Sequence, residues 1–243
     1  MSFTLYGSTF LSTVLINSCV FEKTLANLAR FFDTEAIFGP RSRLDVGLLY
    51  KTEVENAQIF IWENEVKTDT LYNRYKKRFD DDSIFQEIQN EKRKIIYINS
   101  RSLLFSLFPN ENLSKNEFGA FQPSNSGKHL SLSHTNDYTA LGISNKPLGL
   151  DIEKSRPEIS KVWKRFSHPK EKELFTLPFE KLLLWTCKEA LFKKQQHSVD
   201  FAKDICIKSY TGTKAGNITG TIKGEAMQCQ FLTLRDHVIS VAL

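Results

Sequence analysis

The sequence has few of the features that mark disulfide-rich, zinc-binding or membrane proteins. Its four cysteines, at positions 19, 187, 206 and 229, show no C-x-x-C spacing, which argues against a zinc site or a disulfide framework. No apolar run approaches the roughly 18–20 residues of a transmembrane helix. The apolar run from Phe10 to Phe21 has no lysine or arginine before it, so it does not read as a signal peptide. We expect a cytoplasmic protein with reduced cysteines and no membrane contact.

The composition of the chain is that of a globular protein with a large core. Of its 243 residues, 41% are hydrophobic and 25% are charged, which favours one large domain or two packed halves. Its 33 basic and 28 acidic residues give a net charge of +5. This excess is compatible with nucleic acid, an acidic protein or an anionic cofactor, and does not choose among them.

The alternation of residues predicts several elements. We expect a strand at 10–21, a helix at 25–32, strands near 44–50 and 58–62, and helices at 69–79 and 84–108. Residues 110–127 read as a loop and 128–144 as a hairpin that turns at 135–137. A short helix is predicted at 162–166. Strands are predicted at 205–207, 218–222, 227–234 and 238–243.

Two carboxylates share one face of a predicted strand near the middle of the chain. Residues 146–153 read K-P-L-G-L-D-I-E, and on an extended strand Asp151 and Glu153 point to one side and Ile152 to the other. Such a pair is often only a solvated edge. Two neighbouring carboxylates are also suitable ligands for Mg²⁺.

A later helical segment adds a third carboxylate and a lysine. Residues 185–193 read W-T-C-K-E-A-L-F-K, which puts Trp185, Glu189 and Lys193 along one helical stripe. By itself a Glu-x-x-x-Lys pair is usually a surface ion pair worth ~0.3–0.5 kcal/mol. Three carboxylates and a lysine on a strand and a helix would suit a Mg²⁺ site that handles a phosphorylated substrate. No G-x-x-x-x-G-K-[ST] loop supports a different phosphotransferase.

The two motifs together, G-x-D-x-E and W-x-x-K-E-A-x-x-K, resemble the signatures of the 4'-phosphopantetheinyl transferase superfamily. The chain most resembles its larger, surfactin-synthetase-activating type. The resemblance covers roughly residues 131–193 and implies an α+β fold of two similar halves, each a small, mostly antiparallel sheet packed on a long helix. Residues 1–145 would form the N-terminal half, which contributes to coenzyme A binding, and 146–243 the C-terminal half with the metal-binding and catalytic motifs. No sequence repeat between the halves is visible, so the duplication rests on the resemblance alone.

The resemblance also implies the reaction. The enzyme would move the phosphopantetheine arm of coenzyme A to a serine of an apo acyl or peptidyl carrier protein and release 3',5'-ADP. Asp151, Glu153 and Glu189 would hold Mg²⁺ against the pyrophosphate, and Glu189 could also take the serine proton. Lys193 would stabilise the phosphate oxygens, and Lys188 would add a phosphate contact. Trp185 would support the stripe by packing.

Coenzyme A would be held by further residues in both halves. The Ser-His element at 133–134 resembles the family pattern, with His134 as a catalytic donor to the pyrophosphate and Ser133 as a lesser contact. Where relatives carry Gly-Lys-Pro, residues 119–123 read G-A-F-Q-P, and Lys128 either replaces the missing lysine or does not. The predicted first-half helix would meet the 3'-phosphate with basic residues, although an ordinary solvated face is an equal alternative. These residues are Lys92, Arg93, Lys94 and Arg101.

The expected partner is a carrier protein, and we expect the enzyme to be a monomer. A basic segment at 161–165 would face the acidic carrier, with solvated surface as the alternative. A non-catalytic basic module that binds carrier protein or nucleic acid is the competing hypothesis. Nucleic-acid binding is disfavoured because acids are interleaved with bases along most of the chain. Fatty acid, polyketide and nonribosomal peptide carriers all remain open as substrates.

Overall fold

The structure is a computed structural model that describes residues 48–64 and 68–243. The strand predicted at 10–21, the helix at 25–32 and the start of the next strand lie outside these residues. The strands are β1 (Leu48–Val54), β2 (Ala57–Glu63), β3 (Leu113–Lys115), β4 (Phe121–Pro123), β5 (His129–His134), β6 (Tyr138–Ser144), β7 (Gly149–Lys154), β8 (Ile205–Tyr210), β9 (Ala215–Ile222), β10 (Glu225–Leu234) and β11 (His237–Ala242). The helices are α1 (Thr68–Arg74), α2 (Lys76–Asp80), α3 (Ser83–Glu87), α4 (Glu91–Leu107), α5 (Pro157–Val162) and α6 (Pro178–Gln195).

The helical region between β2 and β3 is more broken than its sequence pattern predicts. The segment predicted as one helix at 69–79 is α1 followed by α2, and the one predicted at 84–108 is α3 followed by α4. Capping side chains mark the starts of α3 and α4, and the one at Asn90 explains the second break. Asp82 Oδ1 accepts hydrogen bonds from the amides of residues 84 and 85, and Asn90 Oδ1 accepts one from the Arg93 amide. Each side chain satisfies amides at a helix start, so a new helix begins after each of them.

The first sheet contains the predicted hairpin. Of the described strands, four form this antiparallel sheet in the order β1-β2-β6-β5. Thr135 Oγ1 accepts hydrogen bonds from the amides of Asp137 and Tyr138, which closes the turn where the sequence predicts it. Helix α4 contributes Ile98, Leu103 and Leu104 to a buried cluster with residues of the sheet. The predicted loop at 110–127 contains the small hairpin β3-β4.

The second sheet follows the strand pattern of the last third of the chain. Among the described strands it has the order β7-β11-β10-β9-β8, antiparallel throughout. Leu183, Leu184, Ala190 and Leu191 of α6 are buried in its apolar cluster. The short helix predicted at 162–166 starts earlier, as α5, and continues as a 3₁₀ turn at Trp163–Arg165. Pro157 begins α5 because proline at the first helical position costs no hydrogen bond.

Side chains on β5 tie the first sheet to the second. Ser131 Oγ accepts a hydrogen bond of 2.8 Å from the Leu150 amide, and Ser133 Oγ donates to Asp151 Oδ1 at 2.8 Å. The edge strand of one sheet therefore lies beside the edge strand β7 of the other. The prediction of a mixed α+β protein with antiparallel sheets is confirmed. In the part of the chain that the structure describes, no helix is long and apolar enough to cross a membrane.

Candidate active site

Gly149 lets helix α6 approach strand β7 closely enough to bring the two sequence motifs together. A Cβ atom at this position would overlap the carbonyl oxygen of Ala190 and would lie 2.6 Å from the amide nitrogen of Lys194. Any larger side chain would therefore push the helix away from the strand. The glycine of the G-x-D-x-E motif has a packing role that the sequence pattern alone does not reveal.

Asp151 lies at the centre of the site and is almost completely buried, with 4% of its surface exposed. Its Oδ1 atom accepts hydrogen bonds from Ser133 Oγ at 2.8 Å and from Lys193 Nζ at 2.7 Å. Lys193 also donates to the carbonyl oxygen of Leu150 at 3.2 Å. The second oxygen, Oδ2, is buried and has no hydrogen-bond partner. Because an unpaired buried carboxylate oxygen is costly, it marks a place for a further donor or cation.

Glu153 lies on the same face of β7 as Asp151, as the alternation predicts. Trp185 Nε1 donates a hydrogen bond of 2.9 Å to Glu153 Oε1, and Arg156 lies 3.4 Å from Oε2. Burial raises the pKa of Glu153, and the Asp151 charge adds to this effect. Trp185 therefore does more than pack, since it orients a carboxylate of the site.

Glu189 faces both carboxylates of β7. Its pKa is raised to about 7, chiefly by burial and also by the negative charges of Asp151 and Glu153, while the positive charge of Lys193 opposes the rise. Burial and neighbouring negative charges both favour the neutral form of a carboxyl group. The carboxyl group exchanges its proton near neutral pH, as a general base requires.

His134 is exposed beside this cluster at the end of β5. Desolvation of its ring lowers its pKa, and the positive charge of Lys193 lowers it further, while Asp151 acts in the opposite direction. The imidazole is therefore neutral at neutral pH and can donate one N–H to a ligand. The structure brings together Ser133, His134, Asp151, Glu153, Glu189 and Lys193.

The expected Mg²⁺ site is not a preformed cluster. Among residues 48–64 and 68–243, no three carboxylate, histidine or cysteine side chains converge closely enough to make one. Instead, the ammonium of Lys193 forms an ion pair with Asp151 Oδ1. The residues nevertheless fit a cation, because Asp151 Oδ2 lacks a partner and the negative charges of Asp151 and Glu153 both act on Glu189.

Lys188 requires a correction. The sequence suggests a phosphate contact, but the side chain is fully buried, and its ammonium has four oxygen partners. These are Glu171 Oε2 and the carbonyl oxygens of Phe166, Phe201 and Ile205. Burial lowers the pKa of Lys188, and Glu171 partly offsets that effect. All three N–H groups of the Lys188 ammonium are used by these acceptors. Lys188 therefore stabilises the fold and does not contact a bound phosphate.

The basic residues of α4 divide into two groups. Lys92 and Arg93 are exposed near the start of the helix, and the ammonium of Lys94 lies 5.2 Å from the ring centre of Phe85. Arg101 is held between two rings, at 4.7 Å from the centre of Tyr97 and 4.4 Å from that of Phe121. Arg101 also donates to Tyr97 Oη at 2.9 Å.

A lysine that the sequence analysis did not single out lies beside Arg101. Lys115 on β3 pairs across the small hairpin with Phe121, and its ammonium lies 5.1 Å from that ring. Desolvation lowers the pKa of Lys115, and the charge of Arg101 lowers it further. Within the described residues, neither cation has a carboxylate at salt-bridge distance. Lys115 was missed in the sequence because residues 110–127 read as a loop, whereas the hairpin β3-β4 brings Lys115 to this ring.

The hairpin that carries Lys115 contacts the end of α6. Asn116 Nδ2 donates to Gln196 Oε1 at 2.9 Å, and Gln196 is the left-handed residue that ends α6. Lys128, the other candidate for the missing lysine, hydrogen-bonds to Asn145 Oδ1 at 2.5 Å. Lys115 and not Lys128 therefore neighbours the residues at 119–123.

Comparison with known proteins agrees with the resemblance of the motifs. A search of curated proteins finds no match to the chain. In the scan of protein families, residues 147–242, which include β7, α6 and the rest of the second sheet, match the model of the 4'-phosphopantetheinyl transferase superfamily.

Proposed function

We propose that the protein transfers the 4'-phosphopantetheine arm of coenzyme A to a serine of an apo acyl or peptidyl carrier protein and releases 3',5'-ADP. The observation that carries the proposal is the contact between Lys193 and Asp151, beside Glu189, whose pKa responds to the charges of Asp151, Glu153 and Lys193. All four residues lie inside the segment that matches the superfamily. The larger, surfactin-synthetase-activating type is the best description of the whole chain. The first sheet with α4 and the second with α6 would be its two similar halves, divided at 145/146.

Glu189 acts as the general base in this proposal. Its carboxylate accepts the proton of the carrier serine. Its pKa is about 7 without a cation, and a bound cation would favour the ionised form that a base needs. The serine oxygen then bonds to the β-phosphorus of coenzyme A, and the bond from that phosphorus to the oxygen of 3',5'-ADP breaks. The leaving group departs as a phosphate anion, and the serine proton remains on Glu189 until solvent removes it.

Lys193 and His134 act on the phosphates. Lys193 carries a positive charge next to Asp151, and its ammonium can exchange part of that contact for a non-bridging phosphate oxygen. His134 is exposed at the same place and donates an N–H to the pyrophosphate. Fixed donors of this kind stabilise charge that develops in the transition state.

Asp151, Glu153 and Glu189 would also hold Mg²⁺, a hard cation that prefers carboxylate oxygens. When bound, Mg²⁺ neutralises charge on the pyrophosphate and on the leaving 3',5'-ADP. The three carboxylates and the unpaired Asp151 Oδ2 support this assignment. Ser133 assists by fixing the other oxygen of Asp151.

The 3'-phosphate of coenzyme A would bind between Arg101 and Lys115. Two cations on one ring, without a carboxylate between them, form a site for a doubly charged phosphate. Lys115 would supply the charge that relatives place within their Gly-Lys-Pro element. Lys92, Arg93 and Lys94 are further candidates on the same helix.

The carrier protein would dock on the basic surface around α5. Lys161, Lys164 and Arg165 are exposed there, together with Val162. Because such a surface is complementary to an acidic carrier, it would speed the encounter. In this proposal the enzyme is a monomer, and it acts in the cytoplasm.

The proposal is tested by incubating the protein with coenzyme A, Mg²⁺ and a panel of apo carriers from fatty acid, polyketide and nonribosomal peptide synthesis. Intact mass should show that one carrier class gains one phosphopantetheine group. The Asp151→Ala variant should fold but leave every carrier unmodified, because it loses a ligand and relieves repulsion among the acids. Full turnover by that variant would refute the site.

A non-catalytic binding module is the second candidate, favoured only by the positive net charge. It would retain a carrier protein in a pull-down and leave the carrier mass unchanged with coenzyme A and Mg²⁺. The mass measurement therefore separates the two functions.

A further inference from the structure

A buried ion pair between Glu171 and Lys188 joins separate segments of the second sheet's core. Both side chains are fully buried, with 2.8 Å between Glu171 Oε2 and Lys188 Nζ. Glu171 Oε2 also accepts from the His168 amide, and Oε1 accepts from the Ile207 amide, both at 2.6 Å. A buried ion pair is rarely more stabilising than apolar packing of the same volume. Lys188 directly precedes Glu189 in α6, so the ion pair is well placed to fix the positions of nearby side chains in the site.

The ammonium of Lys188 fixes the backbone of two phenylalanines. It donates to the carbonyl oxygens of Phe166 at 2.9 Å and Phe201 at 2.7 Å. The rings of these residues flank Trp185, with ring centres 4.9 Å and 5.8 Å from that of the indole. The indole is therefore held by residues whose main chain is attached to Lys188.

The clamped indole reaches the catalytic site. Trp185 Nε1 donates to Glu153 Oε1 at 2.9 Å, so the position of the indole determines where that carboxylate points. A continuous path of contacts runs from the ion pair through the two aromatic rings and the indole to Glu153. The indole lies one layer behind this carboxylate, and removal of such a partner typically changes metal affinity or activity by 10–100-fold. The ion pair acts on Glu153 through the indole.

We propose that Glu171 and Lys188 are positioning residues, which set the orientation of the Glu153 carboxylate through Phe166, Phe201 and Trp185. The inference rests on the proposed function only for what Glu153 does once it is oriented. The hydrogen bond from Trp185 to Glu153 can be observed whether or not the protein transfers phosphopantetheine.

The test observes the indole N–H of Trp185 directly by ¹H–¹⁵N NMR of the full chain without metal. Glu153→Ala identifies the resonance of an indole without its acceptor. Lys188→Met leaves Glu171 as an unpaired buried charge and risks unfolding. The double variant Lys188→Met/Glu171→Gln therefore removes both charges together. Its Trp185 resonance should move most of the way to the Glu153→Ala position.

Phe201→Leu provides a second arm that leaves the ion pair intact. It removes one flanking ring, so the resonance should move part of the way. Lys181→Met is the matched control, because Lys181 lies on the same helix and its ammonium packs over Trp163, outside the path. Its Trp185 resonance should stay at the wild-type position.

Binding of Mn²⁺, measured by electron paramagnetic resonance without coenzyme A, gives a readout besides activity. We expect about tenfold weaker binding in the double variant and none of this loss in Lys181→Met. The proposal is overturned if the Trp185 resonance stays at its wild-type position in Phe201→Leu and in the folded double variant. If wild type itself does not bind Mn²⁺, the metal assignment fails, and the indole resonance still decides the positioning role.

Discussion

At the scale of single residues, the role of each charged side chain is determined by the groups that it contacts. Lys188 and Lys193 lie five residues apart on one helix, yet one is fully buried with four oxygen partners and the other faces Asp151. Glu189 differs from an ordinary surface glutamate because burial, and after it two further carboxylates, raise its pKa. These differences arise from tertiary contacts and could not be read from residue type.

The raised pKa of Glu189 predicts a pH-dependent gain in stability for Glu189→Gln. The pKa rises from 4.5 to about 7 on folding, so the folded state binds more protons than the unfolded chain within that window. Stability of the wild type therefore falls as the pH rises through it. In urea unfolding with EDTA, the glutamine variant should be more stable than wild type by about 1–3 kcal/mol at pH 8. Near pH 4.5 the two should be nearly equal, and equal stability at pH 8 would contradict the raised pKa.

The pair of cations around Phe121 predicts a change in cofactor affinity with little change in chemistry. Arg101→Met and Lys115→Met should each raise the KM for coenzyme A by roughly tenfold to a hundredfold, as expected for loss of a charge-assisted hydrogen bond of ~1.5–3 kcal/mol. The kcat should change little, because the 3'-phosphate is remote from the reacting phosphorus.

Dephospho-coenzyme A, which lacks the 3'-phosphate, is the ligand control for this pair, and Lys128→Met is the matched variant. Wild type and Lys128→Met should both prefer coenzyme A strongly. Arg101→Met and Lys115→Met should prefer it less. If both retain the full preference, the 3'-phosphate binds elsewhere, with Lys92, Arg93 and Lys94 as the next candidates.

At the scale of elements, the site depends on how closely α6 lies on β7. The hairpin at 128–144 and the strands of the last third could be predicted because alternation and turn residues are local signals. The break at Asn90 was missed because a continuous apolar pattern ran across it, whereas the break at Asp82 lies between the two predicted helices. The position of Lys115 was missed because residues 110–127 were read as a loop and not as the hairpin β3-β4. The position of Lys188 could not be predicted, since its partners lie on segments 13–22 residues away.

Replacing Gly149 by alanine should separate the strand from the helix. The added Cβ would overlap the Ala190 carbonyl, so we expect a loss of about 1–3 kcal/mol in the free energy of unfolding. A large loss of kcat/KM should accompany it, because Glu189 and Lys193 move away from Asp151. Urea unfolding and initial rates of carrier modification measure the two effects.

Gly224→Ala is the matched control for the glycine on β7. Gly224 lies in the β9–β10 turn with a φ of 89°, and the position that an added Cβ would take has no atom within 4 Å. Alanine there should cost about 1–2 kcal/mol of stability through its backbone conformation and leave kcat/KM of the folded enzyme unchanged. A Gly149→Ala variant with wild-type kcat/KM would show that the close approach does not set the site.

At the scale of the whole molecule, the proposed active site lies where the edge strands of the two sheets meet. Ser131 and Ser133 on β5 hydrogen-bond to β7, so the first sheet supports the carboxylates that the second sheet carries. The sequence motifs predict which residues form the site. They do not predict that Asp151 is held by both a serine of the first sheet and a lysine of α6.

We propose that this site couples carrier modification to cleavage of coenzyme A. The most direct measurement follows, in one reaction with Mg²⁺, both the mass of the apo carrier and the amount of 3',5'-ADP released. We predict one 3',5'-ADP for each carrier that gains a phosphopantetheine group. Glu189→Gln should lower both rates together by roughly 10²–10⁴-fold, the usual contribution of a general base. Unmodified carrier with wild-type protein, or Glu189→Gln rates within a few-fold of wild type, would contradict the account.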